Sequence, residues 1–181
     1  MPNAGTFFIP LPWRIVILKQ KFLHVFIKEF EVRWNDLDAN RHLANSSYVN
    51  FMSHTRMSFL MEHGLGHHTM IEHNIGPVVF FEHLYYFRES AMQGKVRVSF
   101  ELGGASEDGM FFRFIHNFYD EKGRNLAHCE MQGGWIDLSS RKLTPLPQDL
   151  IEKLQEAPKS AEYKILTKAD MRSEGRRPVD L

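Results

Sequence analysis

Three things are scarce in this sequence: cysteine, net charge and long apolar runs. Cys129 is the only cysteine among 181 residues, which excludes an intrachain disulfide framework and a zinc site built on cysteines. The 22 basic residues balance the 22 acidic ones, which disfavours a nucleic-acid partner because phosphate binding needs a basic excess. No window supplies the roughly 20 mostly apolar residues of a membrane-spanning helix. We therefore expect a cytoplasmic protein with no transmembrane segment.

What is abundant points to a packed core. Hydrophobic residues make up 43% and aromatic residues 13% of the chain, which excludes intrinsic disorder. The length fits one domain that buries its own core. Ten histidines invite a catalytic or metal role, because imidazole titrates near neutral pH.

A local group of four histidines is the first metal candidate. The group consists of His63, His67, His68 and His73. Gly64 and Gly66 lie among them and interrupt a helical face, and no cysteine is near, so we expect no metal site. Both glycine-rich phosphate motifs are also absent, and we expect no cofactor.

The first 25 residues form an N-terminal extension that differs from the rest of the chain. Two prolines interrupt its apolar start, and Arg14, Lys19 and Lys21 interrupt the next apolar run. A secretory signal is not indicated, because a small-residue cleavage pattern and an uninterrupted apolar run are missing. Three interpretations stay open: an arm or extra strand packed on the domain, a membrane-surface anchor, or upstream translation with little functional role.

From residue 26 onward, the pattern predicts an α+β domain over 26–156, with one long helix on a five-stranded antiparallel sheet. The predicted strands are Phe26–Trp34, Val78–Arg88, Val96–Leu102, Met110–Tyr119 and Asn125–Asp137. Short helices are predicted over His67–His73 and Gln148–Glu156. Residues 157–181 are predicted to be a charged, loosely held C-terminal tail.

The long helix is predicted from Ser46 or Ser47 through Glu62. Its apolar residues recur at helical spacing on one face: they are Tyr48, Phe51, Met52, Thr55 and Phe59. Asn45, Ser46 and Ser47 are all suitable N-cap residues, and Gly64 is suited to end the helix.

The polar stretch Asp36–Asn45 carries the chemistry of the chain. It holds acids, amides and an imidazole between a strand and the start of a helix. A helix start offers unpaired backbone N–H groups that can hold a developing oxyanion. A carboxylate beside it can attack a carbonyl or act as a general base toward water. The alternative is that these residues only form the loop and cap the helix.

This stretch resembles the opening of the hotdog-fold thioesterases. Their pattern is a strand, D-x-D, a His or Gly, an Asn, a Tyr and a long helix with an Arg. The matching residues are Asp36, Asp38, His42, Asn45, Tyr48 and Arg56. A second segment, Tyr86–Glu89, resembles the family's second strand and the turn after it. The resemblance covers about residues 26–140 and implies a single hotdog domain.

Two branches of this family imply roles for individual residues. In the 4-hydroxybenzoyl-CoA thioesterase branch the second Asp of D-x-D is catalytic, which implies Asp38, and a backbone N–H in the region of Asn45 polarises the thioester carbonyl. The acyl-ACP thioesterase branch shows D-x-N-x-H-x-N-N-x-x-Y and a Glu in Y-x-R-E. The chain matches that pattern at Asp38, Asn40, His42, Asn45, Tyr48 and Glu89 and departs from it at Ala44.

The resemblance implies hydrolysis of an acyl-CoA or acyl-ACP thioester to a free acid and a thiol. Asp38 is implied as nucleophile or base, and Asn40 as the group that orients Asp38 or helps hold the oxyanion. His42 and Glu89 are implied to activate the hydrolytic water and to protonate the departing thiolate. Asn45 and Tyr48 are implied to contact the substrate. Asp36 is expected to be structural.

Two other functions stay open within the same fold. One is a non-enzymatic sensor or scaffold that binds acyl thioesters, and the other is a dehydratase or hydratase. The D-x-D position of Asp38 argues against the second. The resemblance also implies a homodimer or homotetramer, because two hotdog subunits pair their sheets and form active sites at the junction.

Two further sets of residues have ordinary alternatives. Arg41, Lys95 and Arg97 could meet the phosphates of CoA, but surface charge explains them equally. Cys129 lies in a predicted strand without a lysine or arginine beside it, and we expect a small buried residue rather than a nucleophile.

Overall fold

A computed structural model describes residues 25–90, 94–171 and 178–180. The predicted N-terminal extension therefore lies outside the described residues, except for Val25. The strands are β1 (Phe26–Glu31), β2 (Ile75–Tyr86), β3 (Lys95–Ala105), β4 (Phe111–Tyr119), β5 (Asn125–Asp137) and β6 (Lys159–Ile165). The helices are α1 (Asn45–Glu62), α2 (His67–Glu72) and α3 (Gln148–Gln155), and a 3-10 turn spans Trp34–Asp36.

The sheet has six strands, so the prediction of five was wrong. Its main path runs β1-β3-β4-β5-β2, and every neighbouring pair on it is antiparallel. The sixth strand, β6, pairs in parallel with the end of β3, beside the stretch that β1 leaves unpaired. Among the described residues, β2 pairs only with β5 and forms one edge of the sheet.

The sixth strand comes from the segment that was expected to be a loosely held tail. Backbone hydrogen bonds attach it to β3: the Leu102 amide donates to the Pro158 carbonyl at 2.7 Å, and the Leu166 amide donates to the Ala105 carbonyl at 2.9 Å. Its own residues are mostly exposed or half-buried. Strands are recognised from alternating apolar residues, and a strand held mainly by its backbone lacks that signal.

Helix α1 packs on one face of the sheet through aromatic rings. Phe59 stacks on Phe100 of β3 at 4.6 Å between ring centroids, and Phe51 stacks on Phe30 of β1 at 4.5 Å. The predicted helix face is confirmed, because all five of its residues are buried. Burying large apolar side chains of this kind contributes roughly 1.5–3 kcal/mol each. This packing places α1 against β1 and β3.

The start of α1 differs from the prediction. The N-cap residue is Ala44, which makes no side-chain cap, instead of Asn45, Ser46 or Ser47. The Ala44 amide donates to the Asp36 carbonyl at 2.8 Å, and the Ser47 hydroxyl donates to the same oxygen at 3.0 Å. The helix start is therefore fixed by the preceding turn rather than by a capping side chain.

None of the described helices is long and apolar enough to cross a membrane.

Candidate active site

The residues between the 3-10 turn and α1 form a small hairpin around Asp38. The Asp38 amide donates to the His42 carbonyl at 2.8 Å, and the Arg41 amide donates to the Asp38 carbonyl at 3.0 Å. Leu37 and Leu43 form a bridge at its base. Arg41 has a φ of 64°, in the left-handed region that such a bulged turn requires and that glycine usually fills. The backbone thus holds a strained residue at the tip of the turn.

The Asp38 carboxylate is oriented by this turn. Its Oδ1 accepts hydrogen bonds from the Asn40 amide at 2.8 Å and from the His42 amide at 3.0 Å. No described residue donates a hydrogen bond to its Oδ2. The side chain itself is exposed. An ordered carboxylate with one oxygen available is suited to attack a carbonyl or to accept a proton from water.

Asp36, two residues earlier, occupies a different environment. It is buried, with 4% of its surface exposed, and it accepts hydrogen bonds from the amide, Nε and Nη2 of Arg33 at 2.9 to 3.0 Å. The hydrogen bonds from Arg33 hold the pKa of Asp36 below its ordinary value of 3.8. Asp36 therefore anchors the base of the turn, which fits its expected structural role.

The first turn of α1 faces Asp38 with one backbone amide available. The Asn45 side-chain oxygen accepts a hydrogen bond from the Ser46 amide at 2.9 Å, and the amides of Ser47 and Tyr48 both donate to the Ala44 carbonyl. The Asn45 amide donates to no described residue. An unpaired N–H at a helix start, at the positive end of the helix dipole, can stabilise negative charge. We call residues 36–45 the turn wall.

A second wall comes from the end of β2 and the residues after it, 86–90, which we call the strand wall. The two walls meet where the Leu43 amide donates to the Ser90 carbonyl at 3.3 Å. His42 Nε2 lies 3.5 Å from Glu89 Oε2, and this contact is an ion pair when the imidazole is protonated. Glu89 is 79% exposed at its side chain. Most of the strand wall is likewise exposed, including Tyr86 and Phe87.

The two walls enclose a cleft of about 420 Å³. It is lined by Asp38, His42, Leu43, Asn45, Tyr48, Tyr86, Phe87, Arg88, Glu89 and Ser90. Five of the six predicted site residues therefore lie around one cavity. The sixth, Asn40, does not line it, and the contact it makes with Asp38 is through its backbone amide.

The buried Ser90 and three exposed lining residues of the strand wall were not predicted as site residues. Tyr86 and Arg88 belong to the stretch that resembles the family, but only Glu89 was selected from it. Phe87 carries no signal of its own, because an aromatic residue at the end of a strand is typical of packing. Their exposure next to Asp38 is visible only in the folded chain.

Tyr48 forms the apolar floor of the cleft. Its ring packs edge-on against Tyr86 at 5.1 Å and against Phe118 at 4.8 Å between centroids. Burial raises the pKa of Tyr48 to about 12, so its hydroxyl keeps its proton at neutral pH. The floor therefore offers an aromatic surface and a neutral phenol.

The three basic residues considered for CoA phosphates differ in their contacts. Lys95 Nζ pairs with Glu29 at 2.7 Å, and Arg97 donates to the backbone carbonyls of Asp120 and Glu121. Arg41 is exposed at the tip of the turn wall. Of the three, Arg41 is thus the one beside the cleft that makes no such pair with a described residue.

Cys129 and the histidine group around His63 were the other residues considered for catalysis or metal binding. Cys129 is fully buried, and burial raises the pKa of its thiol to about 12, which makes it a poor nucleophile. His63 packs against the ring of Phe59, and its Nδ1 contacts the Phe59 carbonyl at 2.9 Å. Within the described ranges, no three side chains of the metal-binding types converge on one point.

Comparison with known proteins agrees with this fold. The chain is similar in structure to the probable thioesterase YbaW from Escherichia coli, with 24% identity and a TM-score of 0.64 over 74% of this chain and 99% of that one. It is also similar to Slr0204, a 1,4-dihydroxy-2-naphthoyl-CoA thioesterase from Synechocystis, with 17% identity and a TM-score of 0.64 over 72% and 96% of the two chains.

A third similar structure is the protein SAV2348 from Staphylococcus aureus, determined in complex with CoA. It has 16% identity and a TM-score of 0.68 over 87% of this chain and 96% of that one. A search of curated protein sequences finds no match. The family model of the thioesterase-like superfamily matches residues 32–154, which include both walls of the cleft. With this match over more than half of its length, the hotdog-fold chain belongs to the thioesterase-like superfamily.

Proposed function

We propose that this protein hydrolyses the thioester of an acyl-CoA to a free acid and a thiol in the cleft between the turn wall and the strand wall. The proposal rests on one observation: three kinds of group lie around one cavity. They are the oriented carboxylate of Asp38, the unpaired helix-start amide of Asn45, and the imidazole–carboxylate pair of His42 and Glu89. Membership of the superfamily supports thioester hydrolysis. The likeness to a structure in complex with CoA and to a 1,4-dihydroxy-2-naphthoyl-CoA thioesterase supports the choice of CoA over ACP.

Asp38 is the reacting carboxylate of the proposed mechanism. Its Oδ1 is held by two backbone amides, so Oδ2 takes a proton from water while that water adds to the thioester carbon. Direct attack by Oδ2, followed by hydrolysis of the resulting anhydride, gives the same products. In both routes the Asn45 amide donates a hydrogen bond to the oxygen of the thioester as that oxygen becomes negative.

His42 and Glu89 complete the proton transfers. When the carbon–sulfur bond breaks, the departing thiolate takes a proton from the protonated imidazole of His42. Glu89, whose Oε2 lies 3.5 Å from the Nε2 atom of that ring, is proposed to orient the imidazole. Asn40 contributes through its backbone amide, which keeps Asp38 in place.

The acyl group is proposed to rest against the aromatic floor. Tyr48 and Tyr86 present their rings to the cleft, and Phe87 lies at its exposed side. Arg41, at the tip of the turn wall, is placed to meet a phosphate of CoA. Asn45 and Tyr48, which line the cleft, are proposed to contact the substrate.

A second copy of the chain is proposed to close the open side of the cleft. The edge strand β2 and the residue after it expose large apolar side chains, namely Val79, Phe80, Tyr85, Tyr86 and Phe87. Hotdog subunits pair their sheets, and such pairing at this edge would bury these residues beside Glu89. Sedimentation velocity is expected to show a dimer or tetramer, and a monomer at micromolar concentration would contradict this part of the proposal.

The function is tested by measuring thiol release from a panel of thioesters. The panel contains short, medium and long acyl-CoAs, an aryl-CoA and an acyl-ACP, and the acid product is measured independently. We expect hydrolysis of at least one CoA thioester. Binding of an acyl-CoA by calorimetry without hydrolysis of any panel member would instead favour an acyl-thioester sensor, and hydration of an enoyl-CoA would favour a hydratase.

A further inference from the structure

Helix α1 contacts the edge strand β2 through a pair of aromatic rings and through an ion pair. The first is the edge-on ring contact of Tyr48 with Tyr86, and the second is the ion pair of Arg56 Nη1 with Glu82 Oε1 at 3.4 Å. The contacts lie eight residues apart on the helix and four residues apart on the strand. Those spacings correspond to about 12 Å of helix and about 13 Å of strand, so the helix and the strand are held in register at two matched points.

Among the described residues, α1 forms ion pairs with two neighbouring strands, and the pair with β2 is the more buried. The side chains of Arg56 and Glu82 are 15% and 23% exposed, whereas those of Lys28 and Glu62, which link α1 to β1, are 35% and 55% exposed. Arg56 is further oriented by Nη2, which donates to the Ser53 hydroxyl at 2.9 Å. A guanidinium held at two points fixes direction as well as distance.

The strand wall continues directly from this anchored part of β2. Glu82 is followed by Tyr86 and then, three residues later, by Glu89. The Glu89 side chain is exposed and reaches His42 at 3.5 Å. The amides of Phe87 and Arg88 donate to the Leu126 carbonyl of β5 at 2.8 and 3.1 Å, so the end of β2 moves together with β5. The position of Glu89 opposite His42 therefore depends on where this pair of strands lies relative to α1.

We infer that the Arg56–Glu82 ion pair is a positioning pair of the active site, which holds β2 in register with α1 and thereby places Glu89 opposite His42. This role rests on the proposed function of the cleft. It does not involve contact with the substrate. Misplacement of a reacting group by about 1 Å through a distant substitution can lower a rate by about 10²-fold.

The inference predicts a change in turnover rather than in substrate binding. Arg56→Met removes the ion pair and keeps an unbranched side chain on α1, and we expect kcat to fall by roughly 10- to 10²-fold with a smaller change in KM. Glu82→Gln keeps an oxygen that can accept from Arg56 but removes its charge, and we expect a smaller loss. Lys28→Met is the matched control at the other ion pair of α1, and kcat should stay within about twofold of the wild type.

A double-mutant cycle separates positioning from stability alone. If the ion pair acts through Glu89, then Glu89→Gln loses most of its own effect in the Arg56→Met background. In the Lys28→Met background, Glu89→Gln should keep its full effect. All rates are measured at least 15 °C below the midpoint of thermal unfolding of the least stable variant; should Arg56→Met fail to fold, the same cycle is run with Glu82→Gln.

The outcomes distinguish this role from the proposed function. Normal kcat in Arg56→Met and Glu82→Gln would overturn the positioning role while the function stands. The positioning role would also be overturned if the rate loss of the Arg56→Met/Glu89→Gln double variant equals the product of the two single losses. Such a result would show that the two residues act independently. A wild-type protein that hydrolyses no thioester of the panel would overturn the function itself, and this role with it.

Discussion

The two walls of the cleft are held in place by different means. The turn wall is fixed mainly by hydrogen bonds among residues 33–45. They include the bonds of Asp36 with Arg33, two backbone amides on the Asp38 carboxylate, and three bonds between backbone atoms of the wall itself. The strand wall is held by β5, where the amides of Phe87 and Arg88 donate to the Leu126 carbonyl at 2.8 and 3.1 Å. Side chains of α1 also contact it or the strand before it, namely Tyr48 on Tyr86 and Arg56 on Glu82, and the turn wall contacts it through His42 and Leu43. One wall is thus a local structure, and the other depends on tertiary contacts.

From this difference we infer that the two walls have different roles in the reaction. Backbone hydrogen bonds give the turn wall a fixed geometry, which suits the groups proposed to attack the substrate and to hold the oxyanion. The exposed strand wall supplies a carboxylate and aromatic rings whose positions depend on the pairing of β2 with β5 and on the packing of α1. The predictions below test whether the walls divide the chemistry in this way.

The strongest test of the turn wall is Asp38→Asn. The amide oxygen of asparagine can still accept from the amides of Asn40 and His42, so the fold should be unchanged, while the basic oxygen is lost. We expect turnover to fall by about 10²- to 10⁴-fold, measured as thiol release, with an unaltered thermal midpoint. Hydrolysis close to the wild-type rate would remove Asp38 from the chemistry.

Glu89→Gln tests the strand wall. It keeps the size of the side chain but removes the charge that faces His42. We expect a loss of about 10²-fold, the lower end of the range for acid–base groups, because Glu89 is proposed to act through His42. Glu62→Gln, at an exposed ion pair far along α1, is the control and should change little.

Asp36→Asn separates the structural carboxylate of the turn wall from the catalytic one. Arg33 lowers the pKa of Asp36 from its ordinary value of 3.8, so the charged carboxylate stabilises the fold above that pH. This contribution is lost as the pH falls below 3.8 and through the folded-state pKa. We expect the variant to melt below the wild type at pH 7, and the difference to shrink toward pH 3.

The same variant should retain far more turnover than Asp38→Asn. A melting difference that stays constant down to pH 3 would show that the charge of Asp36 is not what fixes the base of the turn.

Arg41→Gly carries the smallest expected effect. Arg41 has a φ of 64°, which costs a non-glycine residue roughly 1–2 kcal/mol, while glycine loses about 0.5–1 kcal/mol more on ordering. We therefore expect a gain of about 0.5–1 kcal/mol in the free energy of unfolding, measured with urea. Arg41→Ala keeps the strain and should not gain; an equal gain in both variants would point to the charge instead.

The turn wall is easier to predict from the sequence than the strand wall, because the turn wall is a local structure and the strand wall depends on tertiary contacts. The residues of the turn wall lie within one short stretch, so their spacing and their resemblance to the family place them together. Tyr86 and Phe87 become part of the site only when β2 packs beside α1. The contact of Arg56 with Glu82 joins residues that are 26 positions apart, and no local pattern indicates it.

The fold shows the same limit. Strands β1 to β5 were found because apolar residues mark them, and the helix face of α1 was found because its aromatic residues recur at helical spacing. β6 was missed because its residues are mostly polar and its place in the sheet is secured by backbone hydrogen bonds. Contacts between segments that are distant in the sequence fix the positions of both β6 and the strand wall, and a local sequence pattern does not reveal such contacts.

The most direct test of the account is whether the two walls act as one catalytic unit. Thiol release from the best CoA thioester is measured for Asp38→Asn, Glu89→Gln and the double variant. Groups that act together show non-additive losses, so we predict that the double variant is no slower than Asp38→Asn alone. A double variant slower by the full product of the two losses, or single variants as active as the wild type, would contradict the account.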